Sequence, residues 1–235
     1  RDVGFLSTSG LVGGAVGLAA GAGFALKQAG EDNICVVFFG DGAMEEGVVF
    51  EAMNLASLWS LPVLFVCENN NSGAISAQEG GFPSSEIAAS RIGDIPKSLN
   101  IKSELVDGAD VAAVHAVIAE AVGGMRKGSG PAFIETYTER WPGSRPLWPT
   151  QATGVTQLAA AWDPSLITGV YADWIDEYDP LLRFIRNQLD TGLLSQDKLL
   201  ERDAQICSQI TKARAFGEAS ALPCPESALD GVFAA

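Results

Sequence analysis

Two short apolar runs, each ending in polar turn residues, constrain the fold of this chain more than any other feature. The first, residues 34–39, leads into Gly40-Asp41-Gly42, and the second, residues 61–67, leads into Glu68-Asn69-Asn70. Both runs are rich in valine and phenylalanine, which predicts buried parallel strands. Residues 46–59, between them, carry apolar side chains at helical spacing, so the whole stretch predicts a β–α–β unit.

Asp41 and Asn70 follow the carboxyl ends of these two strands, and ligands of open α/β sheets bind at that edge. Gly42 lets the backbone come close to a ligand, and the N-terminus of the following helix favours an anion. The oxygens of Asp41 and Asn70 are hard donors suited to Mg²⁺ or Ca²⁺, and Mg²⁺ usually completes its shell with phosphate and water. The two strand ends therefore predict a site for a metal diphosphate.

The same residues resemble a known cofactor motif, in which Gly-Asp-Gly is followed at the next strand end by Asn-Asn. Gly-Asp-Gly alone also fits a tight turn with a capping aspartate, but the second strand end favours the thiamine diphosphate motif. The stretch from Glu46 through 50–56 to Leu61-Pro62 is similar to the α subunit of the 2-oxoacid dehydrogenase decarboxylases, a family of pyruvate, branched-chain and acetoin enzymes. The resemblance implies the thiamine diphosphate-binding fold, a doubly wound α/β architecture with a mainly parallel sheet flanked by helices and a helical C-terminal extension.

The resemblance also implies the cofactors, thiamine diphosphate and Mg²⁺. The metal ligands that it implies are Asp41, Asn70 and the backbone carbonyl of Ser72. Gly10 and Val12 match positions whose backbone groups hydrogen-bond the aminopyrimidine ring. The complete set of positions matched to cofactor binding is Gly10, Val12, Gly40, Asp41, Gly42, Ala43 and Asn70.

One loop departs from the family pattern. The decarboxylases carry His-Gly-His-Ser near the cofactor diphosphate, where this chain has Pro142-Gly143-Ser144-Arg145. The change removes two imidazoles that shuttle protons near neutral pH. It adds Arg145, a fixed cation that can hold a phosphate or carboxylate through two hydrogen bonds. Arg145 is therefore a candidate substrate-binding residue.

The resemblance implies that this chain works with a partner. In the two-chain enzymes the carboxylate that activates the aminopyrimidine comes from a β-type subunit, and Glu45, Glu46 and Glu51 lie on the diphosphate side, so no catalytic residue is assigned here. We expect an α2β2 heterotetramer that decarboxylates a small 2-oxoacid and passes the acyl group to a lipoyl group, on a lipoyl-bearing or acyl carrier protein.

Two other functions stay open. The altered loop favours a split transketolase-like enzyme, which would move a two-carbon ketol unit from a ketose phosphate to an acceptor or carrier. The other alternative is a non-catalytic regulatory subunit. The intact Gly40-Asp41-Gly42 and Asn70 argue against that alternative.

Composition limits the classes of partner. The chain has 235 residues and a formal net charge of -14, which argues against nucleic-acid binding. No apolar segment is long enough to span a bilayer, so we expect no membrane partner. The chain has four cysteines and no Cys-x-x-Cys pair, and Cys35 and Cys67 lie in predicted strands, which predicts reduced core thiols in a cytoplasmic protein.

We predict that residues 1–150 form the cofactor-binding α/β domain and that residues 151–235 form a helical extension packed on it. The single histidine, His115, is expected on a helix surface. The other expected features are a close-packed helix at 17–27, a short helix around 85–92, strands at 101–106 and 132–137, a helix at 111–123 capped by Asp110, a helix starting at Pro180 and a helix from Ser195 to Phe216.

Overall fold

The computed structural model describes residues 4–70, 86–139, 157–169 and 172–230. The strands are β1 (Cys35–Gly40), β2 (Val63–Asn69), β3 (Lys102–Asp107) and β4 (Ala132–Tyr137). The helices are α1 (Gly14–Ala29), α2 (Gly47–Leu58), α3 (Asp94–Ser98), α4 (Val111–Met125), α5 (Ala172–Glu177), α6 (Pro180–Asp190) and α7 (Gln196–Ala219). Short 3₁₀ helices occupy Asp41–Glu45, Leu158–Ala161, Pro164–Leu166 and Pro225–Leu229.

In the described residues the strands form one four-stranded sheet, ordered β1-β2-β4-β3, in which every pairing is parallel. Gly40 at the end of β1 pairs with Glu68, and Asn69 at the end of β2 pairs with Tyr137. The carboxyl ends of β1, β2 and β4 therefore lie side by side. This confirms the predicted parallel α/β sheet, and it brings the strand ends that precede Asp41 and Asn70 to one edge.

Helices cover both faces of the sheet, as the doubly wound prediction requires. Residues of α1 and α2 share one apolar core with Val37, Phe39 and Phe65. Residues of α4 share a second core with Leu64, Val66 and Ile134 on the opposite face. Since consecutive strand residues point to opposite faces, the continuous apolar run of β2 supplies both cores.

Glycine and alanine let α1 lie close to the sheet, as its composition predicts. A Cβ atom added at Gly23 would come within 2.4 Å of Val63 Cγ2, at the start of β2. A Cβ at Gly13, just before the helix, would meet Glu46, Val48 and Val49 at 3.1–3.2 Å. Gly13 also has a φ of 75°, a conformation that favours glycine.

Three details differ from the sequence-based predictions. The first is β1, which is buried only on the α1 and α2 face, because the opposite face of this edge strand lies outside the core built by α4. Its Phe38 is 60% exposed. The prediction of a buried strand therefore holds for only one face of β1.

The second is the short helix expected around residues 85–92. The described residues 86–93 are irregular, and the helix is α3 at Asp94–Ser98, with Pro96 inside its first turn. Proline is tolerated there because the first-turn N–H groups have no partner within the helix.

The third is the segment after Gly42. Residues Asp41–Glu45 form a 3₁₀ helix, closed by Glu46 N donating to the Ala43 carbonyl at 3.1 Å, so α2 begins only at Gly47. The start of α2 agrees with the predicted helix at 46–59, and the feature that was not predicted is the tighter turn before it.

Polar caps open the later helices as the sequence predicts. The Asp110 carboxylate accepts from Ala113 N at 3.0 Å, and the Asp179 carboxylate accepts from Leu181 N and Leu182 N just before α6. Ser195 caps α7 by accepting from Lys198 N at 3.4 Å. His115 is exposed on α4, which confirms its predicted surface position.

The chain divides into two compact units, residues 1–186 and residues 187–235, with the boundary inside α6. The first contains the sheet, and the second contains α7, none of whose residues is buried. The division into 1–150 and 151–235 stays a prediction. Among the described residues, no helix combines the length and the apolar character that crossing a bilayer requires.

Candidate functional site

Asp41 is the first residue after β1 and is only 2% exposed. Ala43 behind it is buried, Gly42 is half-buried, and Gly40 is exposed at the end of the strand. The 3₁₀ turn thus carries a carboxylate at the carboxyl edge of the sheet. Its far end is attached to the residues that precede α3, because the Glu45 carboxylate accepts the backbone N–H of Glu86.

Asn70 follows the neighbouring strand directly and is half-buried. The residue before it, Asn69, is attached to β4 through both backbone and side chain. Its carbonyl accepts from Thr138 N at 2.9 Å, and its Nδ2 donates to Glu135 Oε1 at 2.7 Å. The fold therefore brings the ends that carry Asp41 and Asn70 onto adjacent strands, as predicted.

The pKa of the Cys67 thiol depends on the negative charge at this edge of the sheet. Burial raises the pKa of the Cys67 thiol far above its ordinary value, and the nearby negative charges of Glu135, Asp41 and Glu68 raise this pKa further. Three carboxylates thus act on one point of β2. A cation bound here would meet a negative electrostatic environment.

Gly10 and Val12 lie in the segment before α1 and are both exposed. Gly13 packs against the first residues of α2, which follow the Asp41 turn, so the fold brings this segment close to that turn. No atom lies within 4 Å of a Cβ built on Gly10, which leaves its backbone accessible.

The donor set fits the metal that the sequence predicts. Asp41 offers a carboxylate and Asn70 an amide oxygen, both hard donors of the kind that Mg²⁺ accepts. In the described parts of the chain, no three His, Cys, Asp or Glu side chains gather as a metal cluster. A site with one carboxylate and one amide would leave the remaining positions to backbone oxygen, phosphate and water.

Two predicted site residues, Ser72 and Arg145, lie outside the described residues, as does Pro142-Gly143-Ser144. The glutamates judged unsuitable as the activating carboxylate, Glu45, Glu46 and Glu51, are all exposed.

Glu135 is a residue of this edge that sequence reasoning missed. It is 7% exposed in β4, and its Oε2 accepts from Gly93 N at 3.2 Å while its Oε1 accepts from Asn69. A signal was present in the sequence, since an ionisable residue stands directly after the apolar run Phe133-Ile134 in a predicted strand. Buried charges of this kind need partners.

A cavity of about 420 Å³ lies on the Glu135 side of this edge. Asn69, Glu135 and Tyr137 line it from the strands, and Arg91 and Lys97 line it from the segment around α3. Acidic and basic side chains both face this space, so it does not favour one sign of ligand charge.

Comparisons with known proteins give a consistent result. The model of the family described as "Dehydrogenase E1 component" matches residues 1–145. The α subunit of acetoin:2,6-dichlorophenolindophenol oxidoreductase from Bacillus subtilis (strain 168) is 32% identical over 99% of this chain. The pyruvate dehydrogenase E1 component subunit alpha from Rhizobium meliloti (strain 1021) is 30% identical over 93% of the chain. The human mitochondrial somatic form of the latter subunit is 31% identical, also over 93%.

The chain spans 64%, 58% and 51% of the lengths of these three relatives. Among solved structures, benzoylformate decarboxylase from Polynucleobacter necessarius aligns with 56% of this chain and 24% of its own, at 18% identity and a TM-score of 0.43.

Proposed function

Because the chain belongs to the dehydrogenase E1 component family, we propose that it is the α-type subunit of a thiamine diphosphate-dependent enzyme. With a β-type partner, the enzyme would decarboxylate a 2-oxoacid and transfer the acyl group to a lipoyl group. The observation that carries the proposal is the buried Asp41 carboxylate at the end of β1, beside the strand end that carries Asn70.

In this proposal Asp41, Asn70 and the Ser72 carbonyl hold Mg²⁺, and the metal neutralises the cofactor diphosphate. The backbone of Gly40, Gly42 and Ala43 would approach the diphosphate, and that of Gly10 and Val12 would orient the aminopyrimidine. When bound, thiamine diphosphate supplies the carbanion chemistry that cleaves a bond next to a ketone. The chain's own part is to bind and orient the cofactor, and the partner would supply the activating carboxylate.

The relatives support this proposal through their names, which describe α subunits of a pyruvate dehydrogenase and of an acetoin oxidoreductase. An α subunit implies a second kind of chain, which motivates the proposed α2β2 heterotetramer. Cytoplasmic location is part of the proposal and rests on the free cysteines, none of which forms a disulfide in the described residues.

Metal-dependent cofactor binding tests the proposal. Asp41→Ala removes the only carboxylate of the proposed metal set, so Mg²⁺-dependent binding of thiamine diphosphate should fall by more than the ~10–100-fold typical of outer-shell changes. Asn70→Ala should weaken it strongly as well. Calorimetry on the chain purified with its β-type partner measures both affinities.

Glu46→Gln is the matched control. It removes a nearby exposed carboxylate that makes no capping hydrogen bond, so it tests for a general effect of charge. Unchanged binding by the Asp41 variant, or an equal loss in the Glu46 variant, would contradict the assignment.

A second candidate function rests on the sequence Pro142-Gly143-Ser144-Arg145, which replaces the two histidines of the decarboxylases. Here the enzyme would transfer a two-carbon ketol unit from a ketose phosphate, and Arg145 would bind the donor's phosphate. Arg145→Ala should then raise KM for the donor and leave cofactor affinity unchanged. Equal turnover of pyruvate by wild type and variant, with no ketose-phosphate activity in either, would contradict this second function and support 2-oxoacid decarboxylation.

A further inference from the structure

Glu135 is an ionisable side chain in the middle of the sheet that the proposed cofactor set does not use. It stands on β4 opposite Cys67 of β2, and it is buried. Each of its two carboxylate oxygens accepts a hydrogen bond from a different part of the chain, Asn69 in one case and Gly93 in the other. Within the described residues, no lysine or arginine pairs with it.

We propose that Glu135 is a positioning residue, which fixes the carboxyl end of β2 so that Asn70 is held in place for the metal. The proposal rests on the proposed function, because the metal is the Mg²⁺ of that cofactor. Glu135 acts through Asn69 and is assigned no contact with the cofactor or the metal.

Asn69 is attached to β4 at two places. Its side chain donates to Glu135 at 2.7 Å, and its carbonyl accepts from Thr138 N at 2.9 Å. A residue held at both places has little freedom to rotate, and a single peptide bond separates it from Asn70. The direction in which Asn70 leaves the strand is therefore set by the Glu135 contact.

Glu135 also holds the segment before α3. Gly93 N donates to the other Glu135 oxygen, and Gly93 fits there because it lacks a Cβ atom, which would lie 2.7 Å from Ser103 Oγ. Glu135 thus joins the end of β2 to the residues that lead into α3. Movement of either segment would break a hydrogen bond to a buried charge.

The carboxylate of Glu135 stands at a position where an apolar side chain would also fit the surroundings. Its sequence neighbours Phe133 and Ile134 are fully buried, and an apolar side chain here would avoid the cost of burying a charge. What a carboxylate adds is two strong acceptors that point to two different segments. Outer groups in other proteins hydrogen-bond the metal ligand itself, whereas Glu135 acts one residue away, on Asn69.

The test compares Glu135→Ala with Glu135→Gln in the chain purified with its β-type partner. The alanine variant loses both acceptors, and we expect it to weaken Mg²⁺ affinity, measured at saturating thiamine diphosphate, by about 10–100-fold. The glutamine variant keeps an oxygen for Gly93 N. Rotation of the Asn69 side-chain amide by about half a turn lets its oxygen accept from the newly introduced glutamine amide. The Mg²⁺ affinity of this variant should therefore return most of the way to that of wild type.

Thr136→Val is the matched control. Thr136 is the next residue of β4, is also buried, and donates from Oγ1 to the Cys67 carbonyl at 3.1 Å. Its loss removes one hydrogen bond between the same two strands without touching Asn69 or Gly93. We expect a lower Tm with unchanged Mg²⁺ affinity, which separates positioning from general stability.

The outcomes are distinguishable. If Glu135→Ala lowers Tm and leaves Mg²⁺ affinity unchanged, as expected of the control, Glu135 is merely structural and the inference is overturned. If that variant does not fold, the Mg²⁺ affinity of Asn69→Ala is measured instead. This substitution removes the same hydrogen bond at its half-buried donor, and an unchanged Mg²⁺ affinity would also overturn the inference. Absence of Mg²⁺-dependent cofactor binding in wild type overturns the proposed function itself, and this inference with it.

Discussion

The Cys67 thiol lies beneath the edge of the sheet where the proposed site residues converge. It is fully buried on β2, between β1, which Asp41 follows, and β4, which carries Glu135. Burial raises its pKa far above the ordinary value, and the charges of Glu135, Asp41 and Glu68 add to that effect. Burial raises the pKa of Cys35 as well. The Cys67 thiol should therefore stay protonated in the folded protein in alkaline solution.

Stability should therefore fall with rising pH in the alkaline range. Above pH ~9 the unfolded chain releases the Cys67 proton while the folded chain retains it, so the free energy of unfolding falls by about 1.4 kcal/mol per pH unit for such a group. Below that pH both states hold the proton and the thiol contributes no pH dependence.

Cys67→Ala should remove the Cys67 share of this slope, whatever its effect on stability at pH 7. Denaturant unfolding from pH 7 to about 10.5 measures the slope. Cys207→Ala, at an exposed position of α7, is the control and should leave it unchanged. An identical slope in wild type and Cys67→Ala would show that the buried thiol does not retain its proton.

Individual residues of the site were predictable to different degrees. Asp41 and Asn70 were found because each stands within three residues of the end of an apolar run, and the carboxyl ends of parallel strands share an edge. Glu135 was missed because its role depends on β4 lying beside β2, and strand order cannot be read from local sequence. Its contact with Gly93 depends as well on a segment that the sequence assigned to a helix ending at residue 92.

Helix α1 is only weakly amphipathic, and close packing against the sheet positions it. Its buried residues are Val16, Ala19, Ala20 and Gly23. Small side chains on this face let the helix backbone approach β2, and the tightest point is Gly23 against Val63. Close packing thus provides the specificity that a stripe of large apolar side chains provides elsewhere.

Two glycines of this helix should respond oppositely to the same substitution. Gly23→Ala places a methyl group 2.4 Å from Val63 Cγ2 and should cost about 1–3 kcal/mol through overpacking. Gly21→Ala meets no atom within 4 Å and should stabilise by about 0.5–1 kcal/mol through helix propensity. Urea unfolding measures both changes, and a shift of the same sign in both variants would contradict the close approach of α1 to β2.

At the element level the strands were predicted to within about two residues, a typical boundary error, because short runs of β-branched and aromatic residues define them. The surroundings of β1 were not predicted. Whether both faces of a strand are covered depends on where α4 lies across the sheet, which a local pattern does not contain. The position of α3 was missed since Pro96 indicates a helix break as readily as a first turn.

The charge and exposed surface of the whole chain support assembly with a partner. The net charge is -14, yet many large apolar side chains are exposed in the described residues, with Leu11 at 79%, Leu58 at 71% and Phe38 at 60%. A single exposed leucine is ordinary, but large exposed apolar side chains in this number are typical of a surface that another chain covers. This surface gives a physical motive for the β-type partner.

We therefore predict that the chain alone is inactive and self-associates, and that co-expression with a β-type partner gives an α2β2 heterotetramer. The free energy gained by covering apolar surface, about 25 cal/mol per Å², favours either outcome, and a specific partner offers the better fit. Phe38→Ser should reduce self-association of the isolated chain without lowering its Tm, because the removed ring makes few internal contacts. Light scattering on the isolated and co-expressed proteins measures both states, and a fully active monomer would contradict the prediction.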